Sequence, residues 1–582
     1  MKKLIISLLM ATALTASADT DLSALTDTIR LPRPVSGARI ESRPGPAINP
    51  TPKSARFSGS TVDVGRGFTI ASCPVEIPRA IPVVTQAGMP LSVTITGKGA
   101  PGSYSLSATP EKVTVEGADA DGAFYGLQTL RQLIDGNRLA LAEITDEPVL
   151  ARRGVVEGFY GNPWSHAKRM SLMEFMGANK LNAYLYGPKD DPYHSSPNWR
   201  KPYPEAQAAE LRELVDAARR NHVRFIWAIH PGRDIRWDKA DYDSLVGKFS
   251  MMYDLGVRDF ALFFDDIEGA GANPERQSEL LNRLTREFVA RKGDVGSLIM
   301  CPTDYSGLWA NPTERGSLAY FGRTLDKSID VFWTGDFVCS DLTPKTLEFV
   351  DTRIRRPALY WWNFPVTDYA RHILMQGPVY GLDPTVDATT AAGIVSNPME
   401  HAEASKAAIY SVADYAWNPA AYNALDSWER ALADMMPECA DAYRTFAIHS
   451  CDTETGYRRD ESWNLSMRSA DSLRAEMERL KAAPVTIRRL ASNRALVDEL
   501  DPWLTQAEAL AERVIDALDL LEKGGSMTDA EYAEAYAALT MTEAEREAYA
   551  AHKVGTLRLQ PFYEAAMRHL ASRRKTDVYI NP

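Results

Sequence analysis

From Arg153 to Ser396 the chain alternates two rhythms. Unbroken apolar runs are followed by longer stretches in which apolar residues recur every three or four positions. The first pattern suits strands buried on both faces, and the second suits amphipathic helices. Strands are expected at Arg153 to Tyr160, Leu181 to Tyr186, Arg224 to His230, Asp259 to Asp265, Ser297 to Thr303, Asp330 to Thr334, Ala358 to Phe364 and Ala392 to Ser396. Helices such as Glu205 to Arg220 and Gln277 to Arg291 fall between them. Eight strand-helix units predict the α/β class and a (β/α)8 TIM barrel, with a doubly wound open sheet as the alternative.

The rhythm changes on either side. A lead-in with Pro32, Pro34, Pro44, Pro46, Pro50 and Pro52 reads as extended chain. From about Arg56 to Ile144, "STVDVG", "LSVTIT", "GSYSLSAT" and "KVTVEG" alternate apolar and polar residues between Gly and Pro turns, as short half-buried strands do. Asp119 or Asp121 then caps a helix with Phe124, Leu127, Leu130 and Ile134 on one stripe, giving a small α+β domain. Beyond about Pro419 strand patterns vanish. Asp501-Pro502 reads as a cap followed by a first helical proline, and Leu510, Val514, Leu518 and Leu521 form a stripe that Gly524-Gly525 ends. Trp463, Trp503 and Tyr563 are expected in the core of this helical part. The expected division is a signal peptide at 1–18, an α+β domain at 19–148, a barrel at 149–430 and a helical bundle at 431–582.

Composition adds an address. The 582 residues are 45% apolar and 24% charged, as in a globular protein. Lys and Arg number 65 against 77 Asp and Glu, a net charge of -12, which argues against nucleic acid as a partner. "MKKLIISLLMATALTASA" has Lys2 and Lys3, an apolar core from Leu4 to Leu14 and small residues before Asp19, the build of a secretory signal. No later stretch is long and apolar enough to span a bilayer, so an exported protein, periplasmic or extracellular, is expected. Of the five cysteines, Cys301 and Cys339 read as buried thiols, and only Cys439 and Cys451 are close enough in sequence to suggest a pair.

The chemistry centres on "DFALFFDDIEG", residues 259–269. A buried strand ends there in two adjacent carboxylates. Successive strand side chains point to opposite faces, so Asp265 and Asp266 can serve one ligand only where the backbone turns, which Glu268, Gly269, Gly271 and Asn273 allow. A second reading makes them surface acids that cap the next helix. Other strand ends share a theme: "EGFYGNPWS" with Tyr160 and Trp164, "YGPKDD" with Lys189, "CPTDY", "WWNFPVTD" and "SNPMEH". Aromatics, amides and carboxylates converging on one mouth suit a polyhydroxylated neutral ligand. There is no H-E-x-x-H, Cys-x-x-Cys, phosphate-binding Gly loop or G-x-S-x-G elbow, and neither metal nor cofactor is expected. His230 reads as structural.

Together, "RGVVEGFYGNPWS", "NAYLYGPKDDPYH", "FALFFDDIEG", "YWWNFPVTD" and "GIVSNPMEHAEASKAAIYSVADYAWNP" resemble family 84 glycoside hydrolases, the O-GlcNAcase and β-N-acetylglucosaminidase group. The resemblance covers the chain from signal to helical tail and implies that the small domain is like domain 2 of the family 20 hexosaminidases. It also implies retaining, exo-acting hydrolysis of terminal β-linked N-acetylglucosamine, including that on Ser or Thr of glycoproteins. The substrate's own 2-acetamido oxygen would attack the anomeric carbon to form an oxazoline. By position, Asp265 would orient the acetamido N–H, and Asp266 would act as general acid and then base. Tyr305 would hydrogen-bond the acetamido group, and Cys301, Trp361 and Tyr160 would wall its pocket. Gly158, Lys189, Asn363, Asp368 and Asn397 would hold the hydroxyls, with Asp368 on the 4- and 6-hydroxyls.

Competing expectations are a hyaluronan- or chitin-directed glycosidase on the same barrel and a non-catalytic glycan-binding protein. Expected partners are glycoconjugates carrying N-acetylglucosamine. The sequence is silent on oligomeric state, and a homodimer is kept as an expectation.

Overall fold

The computed structural model of the chain describes residues 21–26, 29, 38–454 and 467–578. The signal-like residues 1–18, Pro32, Pro34 and Trp463 lie outside them. From residue 38 the Pro-rich lead-in is irregular, as expected, but it is also docked. The Arg43 guanidinium pairs with the Asp426 carboxylate, and the Thr51 N–H donates to Asp414 at 2.6 Å.

Strands β1 (Ser54–Asp63), β2 (Phe68–Ser72), β3 (Val83–Val84), β4 (Met89–Ile95), β5 (Tyr104–Ala108), β6 (Val113–Gly117), β7 (Ile134–Asp135) and β8 (Arg138–Asp146) form one sheet in the order β1-β8-β5-β6-β4-β2-β3, with β7 on β8. Leu91, Val93, Leu106, Val113 and Val115 face a helix, Ala120–Gln132, whose Phe124, Leu127 and Leu130 are buried on them. Asp119, not Asp121, caps that helix, its carboxylate accepting the Gly122 N–H at 2.8 Å. Ile134 falls off the expected stripe because the chain leaves the helix at Leu133 and pairs Ile134 with Leu139.

The next eight strands are parallel and close on themselves: β9 (Arg152–Glu157), β10 (Ala183–Tyr186), β11 (Arg224–Ile229), β12 (Asp259–Phe263), β13 (Ile299–Cys301), β14 (Asp330–Trp333), β15 (Ala358–Trp362) and β16 (Ala391–Ser396), with β16 beside β9. This is a (β/α)8 barrel, not an open sheet. Val156, Leu185, Ile226, Phe263, Ile299, Phe332, Leu359 and Val395 fill its interior, while the alternate residues pack on the surrounding helices. Several strands stop earlier than their apolar runs. β9 ends at Glu157, β12 at Phe263 and β15 at Trp362, and beyond each the backbone is free to turn side chains toward the mouth. Helix Glu205–Arg220 has the bounds expected, whereas Gln277 to Arg291 is divided into Pro274–Leu284, a π turn Thr285–Val289 and Ala290–Lys292.

Helix Ala402–Trp417 is buried along its whole length. It lies against the barrel and the bundle, and its last residue, Trp417, enters the core of the α+β domain. There the Trp417 indole donates to Asp146 at 2.9 Å, beside the buried Lys180 ammonium.

The bundle departs from the sequence reading at Asp501-Pro502 and at the suggested Cys439–Cys451 pair. Asp501-Pro502 does not start a helix; helix Arg494–Lys523 runs through it, capped at Asn493, and ends at Gly524. An interior proline costs about 3 kcal/mol. Leu496, Val497 and Leu500, ahead of it, are all buried, and each stabilises by about 1.5–3 kcal/mol, so packing wins. Trp503 and Tyr563 are core residues. Cys439 and Cys451 are separate buried thiols, and Cys339 is only half-buried. No helix among the described residues is long and apolar enough to cross a membrane.

Candidate active site

Loops at the carboxyl-terminal end of the barrel enclose a cavity of about 330 Å³. Gly158, Tyr160, Lys189, Asp265, Asp266, Cys301, Tyr305, Trp361, Asn363, Asp368 and Asn397 all line it. These residues are thus brought to one place, but Trp164, also expected at the mouth, is not among them: its ring is buried against Phe159 and its indole N–H donates to the Met399 carbonyl at 3.2 Å, so it packs the loop after β9 and offers no face to a ligand. Thr334, Val338, Cys339, Val366 and Tyr369 line it too and were missed. The first three follow β14, and the same inspection of strand ends, applied to "TGDFVC", would have found them.

The two carboxylates reach the cavity by different routes. Asp265 follows the last core residues of β12 and is buried, 6% exposed. Its Oδ2 accepts from the Lys189 ammonium at 2.6 Å, and its backbone carbonyl lies 2.8 Å from His230 Nε2. Asp266 has φ +53°, a left-handed conformation that Asp tolerates better than most residues. That twist turns an exposed carboxylate back over the same cavity. Its two oxygens accept from the Tyr160 hydroxyl at 2.9 Å and the Tyr305 hydroxyl at 2.8 Å.

Electrostatics fixes the charge of Asp265. Burial works to raise the Asp265 carboxyl, but Lys189 and His230 beside it bring it down to about 2. It is therefore an anion at neutral pH. Burial and the nearby Asp266 push the Tyr305 phenol up, and burial pushes Tyr160 up to about 12, so both remain protonated donors. Burial pushes the Cys301 thiol well up, which makes it a wall and not a nucleophile. His230, read as structural from the sequence, supports Asp265 from beneath.

Opposite the carboxylates lies an amide relay. Asn397 Nδ2 and Trp361 Nε1 both donate to Asn363 Oδ1 at 2.9 Å, and Asn363 Nδ2 donates to the Val338 carbonyl at 2.7 Å. Asp368 accepts the Tyr160 N–H at 3.0 Å, and its carboxyl is raised by burial. Two buried oxygens in the cavity, Asp265 Oδ1 and Asn397 Oδ1, have no hydrogen-bond partner within the protein. Buried acceptors in that condition are costly unless a ligand donates to them. Gly158 lets the indole close on the backbone, since a Cβ there would sit 2.6 Å from Trp361 Cζ2. Among the described residues no three His, Cys, Asp or Glu side chains converge as metal ligands would.

A carboxylate pair at the catalytic face of a closed barrel, in a pocket of hydroxyl, amide and indole groups, is the construction of barrel enzymes that act on sugars. Residues 153–448, just over half of the chain, match the family model described as beta-N-acetylglucosaminidase, and residues 81–147 match glycosyl hydrolase family 20, domain 2. The chain belongs to the β-N-acetylglucosaminidase family, family 84 of the glycoside hydrolases. Among its relatives is the protein O-GlcNAcase of Rattus norvegicus, 35% identical over 271 residues that cover 45% of this chain and 29% of the rat protein. The beta-hexosaminidase of Vibrio vulnificus is 29% identical over 25% of this chain and 18% of its own. The chain thus spans less than a third of the length of these curated relatives. The solved structure of CpGH84B superposes with a TM-score of 0.79 at 29% identity, covering 89% of this chain and all of the other. A mutant of the Thermobaculum terrenum O-GlcNAc hydrolase superposes with a TM-score of 0.65 at 28% identity, covering 74% of this chain and 97% of the other.

Proposed function

We propose that this protein is a retaining exo-β-N-acetylglucosaminidase that removes terminal β-linked N-acetylglucosamine, including that carried on Ser or Thr, by substrate-assisted catalysis. The observation that carries the reading is the division between adjacent carboxylates in one pocket. Asp265 is held anionic by Lys189 and keeps one oxygen without a hydrogen-bond partner, while Asp266 is held by two phenols.

In this reading the acetamido N–H donates to Asp265, which orients the acetamido oxygen toward the anomeric carbon and offsets the positive charge of the forming oxazoline. As the C1–oxygen bond to the leaving group breaks, Asp266 gives that oxygen its proton. Water then adds to C1 with Asp266 taking its proton back, and the acetamido group reopens. An intramolecular nucleophile has a high effective molarity, so no protein nucleophile is required. The acidic Asp265 suits the first role, because an anion there stabilises developing positive charge in a low-dielectric site.

A cavity near 330 Å³ lies at the small end of ligand pockets and suits one enclosed sugar better than a polymer groove. At its mouth, Tyr160 and Tyr369 of the lining and Trp309 and Phe337 beyond it present exposed rings on the loops after β9, β15, β13 and β14. Such a collar favours a bulky aglycone at the mouth. We also propose export, on the strength of residues 1–18.

The test compares hydrolysis of an aryl β-N-acetylglucosaminide with its N-trifluoroacetyl analogue. Fluorine withdraws electron density from the acyl oxygen, so the reading expects the rate to fall by orders of magnitude. A rate that hardly changes would mean that another nucleophile attacks.

A further inference from the structure

We propose that the carboxyl-terminal bundle is a working part of the sugar site. In this role Trp503, on helix Arg494–Lys523, is a positioning residue that fixes the loop after β15 and, through it, Asp368. The inference rests on the reading of Asp368 as a partner of the sugar hydroxyls.

Asp368 sits in the first of two linked turns. The Ala370 N–H donates to the Thr367 carbonyl at 2.9 Å, and the Ile373 N–H donates to the Ala370 carbonyl at 2.8 Å. A displacement at His372 or Ile373 is therefore carried to Asp368 through closed hydrogen-bonded rings, not through slack chain. The bundle holds that far end. The Trp503 indole N–H and the Lys553 backbone N–H both donate to the His372 carbonyl, at 3.0 and 2.8 Å. The His372 ring meets Glu454 at 2.7 Å, the Lys553 ammonium meets Glu454 at 2.9 Å, and Ile373 and Lys553 form a parallel bridge.

Trp503 reaches a second loop as well. Its buried ring lies edge-on between the imidazoles of His401 and His552, with centroids 5.1 and 4.8 Å away. His401 follows Glu400, whose carboxylate accepts Arg371 Nε at 2.8 Å, Arg371 Nη2 at 2.7 Å and the Asn162 N–H at 2.8 Å. Glu400 thereby ties the loops after β9, β15 and β16 together. The Tyr160 N–H on Asp368 closes the circuit inside the cavity. One indole thus fixes both loops that carry Asp368 and Asn397.

The experiment uses the full chain and an aryl β-N-acetylglucosaminide. Trp503→Phe keeps a ring and removes the donor. KM should rise roughly 2–10-fold, the factor that one neutral hydrogen bond is worth, with kcat within about 2-fold. In an Asp368→Asn background the same change should shift KM less than about 2-fold, because residues acting through one another are not additive. Glu454→Gln, at the surface of the junction, should give the same KM-selective pattern and serves if Trp503→Phe does not fold. Additive effects of Trp503→Phe and Asp368→Asn, or lowered thermal stability with unchanged kinetic constants, would overturn the positioning role. Asp368→Asn with an unchanged KM would instead overturn the hydroxyl reading of Asp368 and the inference with it.

Discussion

Lys189 Nζ lies 2.6 Å from Asp265 Oδ2, a single ion pair that joins the loop after β10 to the end of β12 inside the cavity. From the sequence Lys189 stands beside two other acids, Asp190 and Asp191, yet closure of the barrel gives it to neither. The pair holds Asp265 as an anion in a buried position.

Removing that cation should change the pH profile in a fixed direction. Asp265 titrates near 2 because Lys189 and His230 overcome burial. In Lys189→Met the burial remains and much of the opposing charge is gone, so the carboxyl must rise. The acid limb of kcat/KM should move to higher pH by roughly 1–3 units, the range an adjacent opposite charge commands. A full pH–rate profile of the variant checks it, and an unmoved acid limb would count against Asp265 as the group that must be ionised.

Asp266 should be read by leaving group. If it is the general acid, Asp266→Ala should slow aryl glycosides with poor leaving groups by roughly 10²–10⁴-fold and those with acidic phenols far less. The slope of log rate against leaving-group pKa gives the answer. Equal loss across the series would remove the acid assignment.

Gly158→Ala should act through the indole. The added Cβ would lie 2.6 Å from Trp361 Cζ2, so the ring must shift, and with it the hydrogen bond that it donates to Asn363. Displacement of about 1 Å in a site of this kind costs on the order of 10²-fold in kcat/KM. Thermal unfolding measured alongside should show a far smaller change than activity does.

The junction between the α+β domain and the barrel offers a stability test away from the chemistry. Asp146 is buried and accepts from the Tyr104 hydroxyl at 2.8 Å, the Trp417 indole at 2.9 Å and the Lys53 N–H at 3.0 Å, with the Lys180 ammonium 3.6 Å away. Asp146→Ala leaves a buried ammonium and these three donors without their anion. The expected loss is about 3–5 kcal/mol, measured by denaturant unfolding, with the kinetic constants of the remaining folded protein close to those of the parent.

Much of the architecture was legible because it is local. Unbroken apolar runs and a repeat near 3.6 residues follow from burial on two faces or one, and they placed all eight barrel strands and helix Glu205–Arg220. Strand ends were read too long where it mattered, since an apolar run such as Phe260 to Phe264 does not reveal where the hydrogen-bond ladder stops. Asp501-Pro502 misled for a related reason. Capping rules are local, and Leu496, Val497 and Leu500 are buried against partners far along the chain.

By itself, the sequence determined the order of the elements, the two carboxylates at the end of one buried strand, and the residue types gathered at the other strand ends. These depend on neighbours a few positions away. Only the tertiary structure decided that Lys189 belongs to Asp265, that Tyr160 and Tyr305 share Asp266, and that Trp503 reaches the loop of Asp368. Each of those partners lies tens to hundreds of residues from its mate, and the closure of the barrel and the docking of the bundle, not any local preference, bring them within hydrogen-bonding distance.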